Sequence, residues 1–201
     1  MQKETTKKRS FTVPILLVLL TFCLIGNVLL YSLKLQNGQD GKRAQGEEII
    51  TAGLEAKQHV QLVAASLEQL AASADAADRT TVMFALGQAF QFASQLPAFI
   101  EAAESRTLPP HKPAIQAPEA FVADAERSLA AVGSHAGALT EKEKQYVAAM
   151  SEQYKQLSAI LEPFGLDPKD KMVAMSTQSG GSWVEIGQKL QQIIDLSSAK
   201  L

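Results

Sequence analysis

The chain has 201 residues, of which 20% are charged, with 19 Lys and Arg against 21 Asp and Glu. That length favours one domain, or one domain plus an appendage, and the near-balanced charge excludes a polybasic nucleic-acid binder and a highly charged disordered tail. The single cysteine, Cys23, excludes an intramolecular disulfide and a CxxC metal knuckle, and the alanine-rich, aromatic-poor composition favours helix.

The charge is unevenly spread. Residues 1–10 carry Lys3, Lys7, Lys8 and Arg9 against Glu4, a net +3 that leaves −5 for the rest. This basic tail abuts an uncharged run of 23 residues from Phe11 to Leu33. As a helix the run spans about 35 Å, enough to cross a hydrocarbon core of about 30 Å. Pro14 falls in its first turn, where a missing N–H costs little. Tyr31 sits where an interfacial aromatic belongs.

A cleaved secretory signal would have a shorter apolar core and a small-residue cleavage site. No A-x-A pattern follows Leu33, and bulky Phe22 precedes Cys23 where a lipoprotein signal needs a small residue. The run therefore reads as an uncleaved transmembrane anchor over 11–33, with Cys23 an apolar residue inside it. Asn27 is the strongly polar residue of the span and could pair two such helices, which would make a homo-oligomer. Basic residues are in excess before the span, so the N-terminus is expected in the cytoplasm and the remainder outside.

Residues 34–46 are polar and contain three glycines, which predicts a flexible linker. A first helix is expected over 47–74, because Ile49, Gly53, Ala56, Val60, Val63, Leu67, Leu70 and Ala74 alternate steps of four and three. Asp78 is the expected N-cap of a second helix over 79–105. That helix holds most of the aromatics, which predicts a central position, and Pro97 should kink it. Pro109, Pro110 and Pro113 make residues 106–117 a stiff connection.

A third helix should open at Pro118 and run to near Leu139. Thr140 and Glu143 form a T-x-x-E capping box for a fourth, whose seam is Val147, Met150, Tyr154, Leu157, Leu161 and Phe164, with Gly165 as its stop. Residues 167–181 read as a loop. Ser182 and Glu185 form a second capping box, opening a fifth helix that carries Trp183, Ile186, Leu190, Ile193 and Ile194 to the C-terminus. No run reads as a strand. The expected fold is all-α, a transmembrane helix followed by an exported antiparallel bundle of four to five helices over 47–201.

The residues that carry chemistry do not converge. Ser179-Gly180-Gly181-Ser182 precedes a helix but lacks the lysine and spacing of a phosphate loop, so it reads as a hinge. Glu55 and His59 lie four apart and read as a surface pair, since a two-metal bundle would repeat Glu-x-x-His on partner helices. His111 and His135 read as solvated. No catalytic, cofactor-binding or metal-ligating residue is expected, and no cofactor. Two residues stand out as candidate partner contacts: Trp183, the sole tryptophan, whose plainer reading is a hydrophobic staple closing the bundle, and Tyr146, which lies off the core line of its helix and whose plainer reading is a partly buried rim residue.

Three stretches carry a resemblance: Ser94-Gln95-Leu96-Pro97 ending a long helix, Glu119-Ala120-Phe121-Val122 opening the next, and Leu139-Thr140-Glu141-Lys142-Glu143 before the helix with Tyr146 and Tyr154. With the basic tail and the single span, their order over about residues 10–165 resembles the N-terminal half of the YpeB family of spore-germination membrane proteins. The C-terminal peptidase-propeptide-like domains of that family have no counterpart here. The resemblance implies a non-enzymatic partner of a cell-wall hydrolase held at the membrane, in sporulation or germination, and transfers no site residues. The expected function is thus a non-catalytic, membrane-anchored binder of an envelope protein. The alternative is an extracytoplasmic small-molecule sensor signalling through a partner.

Overall fold

The computed structural model describes residues 12–73, 75–107, 114–135 and 137–197. The basic tail 1–10, Phe11, Ala74, the proline-rich stretch 108–113 with His111, Ala136, and the last four residues lie outside the described residues. Seven α-helices and no strand occur among those described: α1 Thr12–Ala72, α2 Ala76–Ala89, α3 Gln95–Glu104, α4 Pro118–Ala131, α5 Glu141–Leu161, α6 Lys171–Gln178 and α7 Ser182–Asp195. A 3-10 turn, Phe90–Phe92, joins α2 to α3. The chain divides into two compact units, up to Lys42 and from Arg43 on.

The described part of the first unit is helical, and it is apolar up to Leu33. Its large side chains, from Val13 to Leu35, are exposed, as is the Cys23 thiol. By length and composition it is a candidate membrane span. The residues after it are helical too, although 34–46 read as a flexible linker. Gly38 and Gly41 weaken that helix without breaking it, because the stretch contains no proline. Arg43 and Glu47, one turn apart, pair at 2.6 Å. Gly46 is where α6 lies directly on α1, since a Cβ there would overlap the Ala174 carbonyl.

The second unit is built around one apolar core. From Ile49 the seam of α1 is buried as its spacing predicts, with Ala56, Val60, Val63, Leu67 and Leu70 fully enclosed. That seam meets α5 through His59 and Tyr154, the 3-10 turn through Phe90, and α3 through Phe99 beside Gly53. It therefore shares the central position expected of the second helix. α3 packs most extensively on α7. Gly187 makes that crossing close, because a Cβ there would overlap Ala103.

Several ends differ from the sequence reading. The N-cap of α2 is Asp75, not Asp78; its carboxylate accepts from Ala77 N and Asp78 N, both at 2.9 Å. The expected second helix is broken at Phe90–Phe92, just ahead of Pro97, so the proline falls in the first turn of α3 where it lacks only an orphan donor. α4 starts at Pro118 as expected but stops at Ala131, because Gly133 takes φ +64°. α5 ends at Leu161 rather than at Gly165, since Pro163 cannot continue it. Lys57 of α1 then donates to the carbonyls of Glu162 and Phe164, at 2.7 and 3.1 Å.

α6 lies in the stretch read as loop, and Asp170 caps it by accepting from Met172 N and Val173 N. The Ser182–Glu185 box does not form: Gly181, at φ +138°, is the N-cap of α7, which ends at Asp195.

Candidate functional site

The residues singled out from sequence are drawn into the core. Trp183 is 2% exposed. Its indole N–H donates to the Thr177 carbonyl at 3.2 Å, and its ring lies 5.6 Å from that of Phe99. The Arg106 guanidinium sits 5.4 Å from the indole centroid while its Nε donates to the Gln178 carbonyl at 2.9 Å. Trp183 thus ties the α6–α7 turn to α3, the staple role, rather than meeting a partner. Tyr146 is 5% exposed. Burial pushes its hydroxyl above the ordinary phenol range, against a hydrogen bond with Ser128, and the Asp124 charge adds to the rise. Neither side chain is offered to a partner in this conformation.

His59 is not half of a surface pair. It is fully buried, one position ahead of Val60 on the seam, with its ring edge-on to Phe90 at 5.3 Å and to Tyr154 at 6.0 Å. Its Nδ1 lies 2.9 Å from the Ala89 carbonyl, which can only accept, so Nδ1 carries the proton. Among the described residues Nε2 has no hydrogen-bond partner, and neither does the enclosed Tyr154 hydroxyl. Burial holds the imidazole below its ordinary range and raises the Tyr154 hydroxyl far above its own. Histidine is therefore neutral here, and walled from solvent.

A second polar group forms where α2, α4 and α5 ends converge. Glu143 accepts from Gly133 N at 2.6 Å, His135 Nε2 at 2.9 Å, Thr140 N at 2.7 Å and Thr140 Oγ1 at 2.7 Å. Thr140 Oγ1 in turn accepts from Glu143 N, which completes the capping box. Burial alone would raise this carboxyl; the four donors outweigh it and hold the pKa at about 2. Three of the donors fall on Oε2 and one on Oε1, which fixes the carboxylate as a cap on the α5 end. Buried Arg79 donates to the carbonyls of His135 and Gly137, at 3.1 and 2.7 Å, and pins the same loop from α2. Among the described residues no group of three or more His, Cys, Asp and Glu side chains is placed to hold a metal ion.

The feature left open is a groove. Between the 3-10 turn, α3 and α4 lies a surface cleft of about 480 Å³, floored by Ala93, Pro97 and Val122 and ended by Phe90. Glu101, Glu119 and Glu126 stand on its rim. Among the described residues none of the three makes an ion pair and no basic side chain lines the cleft. A smaller hollow of about 130 Å³ prolongs it between α2 and α4, sharing Phe90 and Glu126 and lined by Met83, Leu86 and Gly87.

Gly87 is an exposed glycine inside α2, and a Cβ there would meet nothing within 4 Å. Such a glycine costs about 1 kcal/mol of helix stability relative to alanine. Phe84, one turn before it, is 69% exposed. Sequence reasoning missed this site because adjacency of α3 and α4 is not written in either helix. Gly87, an interior helix glycine without a steric cause, was the available signal.

No family model matches the chain, and neither a curated protein nor a solved structure shows significant similarity to it.

Proposed function

We propose that this chain is a non-catalytic, single-pass membrane protein whose exported helical part binds another envelope protein. The carrying observation is a contrast within one chain: the apolar side chains from Val13 to Leu35 are all exposed, while the second unit encloses its own core. An apolar helix of that length is stable when lipid covers it. The basic flank orients the N-terminus to the cytoplasm. Outside, α1 from Ile49 and the six later helices form an antiparallel bundle. His59, Tyr146 and Tyr154 are buried in its core, which favours binding over turnover. The likeness in feature order to the YpeB family makes germination or sporulation the setting, with a cell-wall hydrolase as the class of partner.

In-cell crosslinking of the full chain with mass spectrometry of the captured proteins tests this reading. The control is the anchor with α3–α7 deleted. The expected result is one envelope protein captured by the intact chain alone. Equal capture by the control, or turnover of peptidoglycan by the purified protein, would overturn it.

A further inference from the structure

We propose that the groove along α4 is the docking site for a cationic amphipathic helix of the partner. This rests on the partner-binding reading above and names the chemistry of that partner. The groove and its extension follow α4 from Glu119 to Ala130, about 16 Å at 1.5 Å per residue, the length of three helical turns. Its walls are helices and its floor is small and apolar, the form that accepts a helix by its apolar face. Glu101, Glu119 and Glu126 ring the floor with no ion pair among the described residues, so the flanks of a bound helix are best filled by lysine or arginine. An anionic lipid surface or an acidic peptide is repelled by the same three charges.

Gly87 supplies an independent argument. Among the described residues nothing occupies the space over it, so none of them accounts for its lack of a side chain. It lines the groove beside the exposed Phe84, where a docked helix would come close to α2 and an aromatic would cover it. A longer side chain at 87 would improve the helix and obstruct the groove at once.

The test uses the full chain in zwitterionic nanodiscs. A displayed library of three-turn helical peptides, with a fixed leucine stripe and randomised flanks, is selected on it. The enriched flanks should converge on Lys and Arg. Binding should weaken at least tenfold in Gly87→Leu and in Glu119→Lys/Glu126→Lys, and weaken with added salt. Gly87→Leu should keep or raise the thermal midpoint, which separates lost docking from lost folding.

Acidic or neutral flanks, no enrichment over empty nanodiscs, or undiminished binding to Gly87→Leu would overturn the proposal. A fall in the midpoint of Gly87→Leu would overturn the claim that the space is open. If crosslinking captures an envelope partner through another face, the groove proposal fails while the anchored-binder reading stands.

Discussion

Replacing Glu143 by glutamine removes a charge that the fold has surrounded with four donors. In the native chain the carboxyl titrates at about 2 against an ordinary 4.5. A folded-state pKa below the unfolded one means that the unfolded chain binds the proton first as the pH falls. The stabilisation is therefore complete above about pH 4.5 and is lost as the pH falls toward 2. The difference corresponds to about 3 kcal/mol. Glu143 is only 7% exposed, so solvent screening removes little of it.

Glu143→Gln keeps the shape of the side chain but turns one acceptor into a donor that faces either Gly133 N or the Thr140 and His135 donors. It should destabilise the protein by about 2–3 kcal/mol at pH 7, the cost of leaving buried donors without an acceptor. The deficit should shrink as the pH approaches 2, where the native carboxyl also loses its charge. Urea unfolding of the wild type and the variant, followed by circular dichroism between pH 7 and 2.5, measures both quantities. An unchanged stability at pH 7, or an acid limb of the same slope in the two proteins between pH 4.5 and 2.5, would refute the reasoning.

His59 acts in a different window. Burial lowers its folded pKa beneath 6.5, so the unfolded chain is protonated first and stability falls as the pH drops below about 6.5; His59→Leu should abolish that early loss, as read by the thermal midpoint at pH 7 and 5.5. Trp183→Ala should cost about 3–5 kcal/mol in chemical unfolding, as expected for an enclosed aromatic, whereas a change under 1 kcal/mol would return the residue to the surface. Gly187→Val should lower stability by about 1–3 kcal/mol, because its side chain must push α7 off Ala103 of α3; calorimetry showing an equal or higher midpoint would contradict the close crossing.

What the sequence made legible was local. The apolar run, the α1 seam from Ile49 to Leu70, Pro118 at the start of α4 and the Thr140–Glu143 box are each written in residues a few positions apart. α6 was missed because eight residues are too few to establish a period, although Asp170 was a readable cap. The 34–46 stretch was misread because glycine weakens a helix without ending one. His59 was assigned to the surface from its distance to Glu55. Its place between Ala56 and Val63, three before it and four after it, put it against the buried seam. The groove needed the tertiary pairing of α3 with α4, and the fate of Trp183 needed the approach of Phe99 and Arg106.

The central proposal is that the chain from Arg43 on is exported while the basic tail stays in the cytoplasm. In a Cys23→Ser background, single cysteines are introduced as Thr5→Cys in the tail and Ser179→Cys on the exposed turn after α6. Intact cells are treated with a membrane-impermeant maleimide. Labelling of position 179 in intact cells, with position 5 labelled only after lysis, is the predicted result. Position 5 labelled in intact cells with position 179 protected, or neither labelled until lysis, would contradict the account.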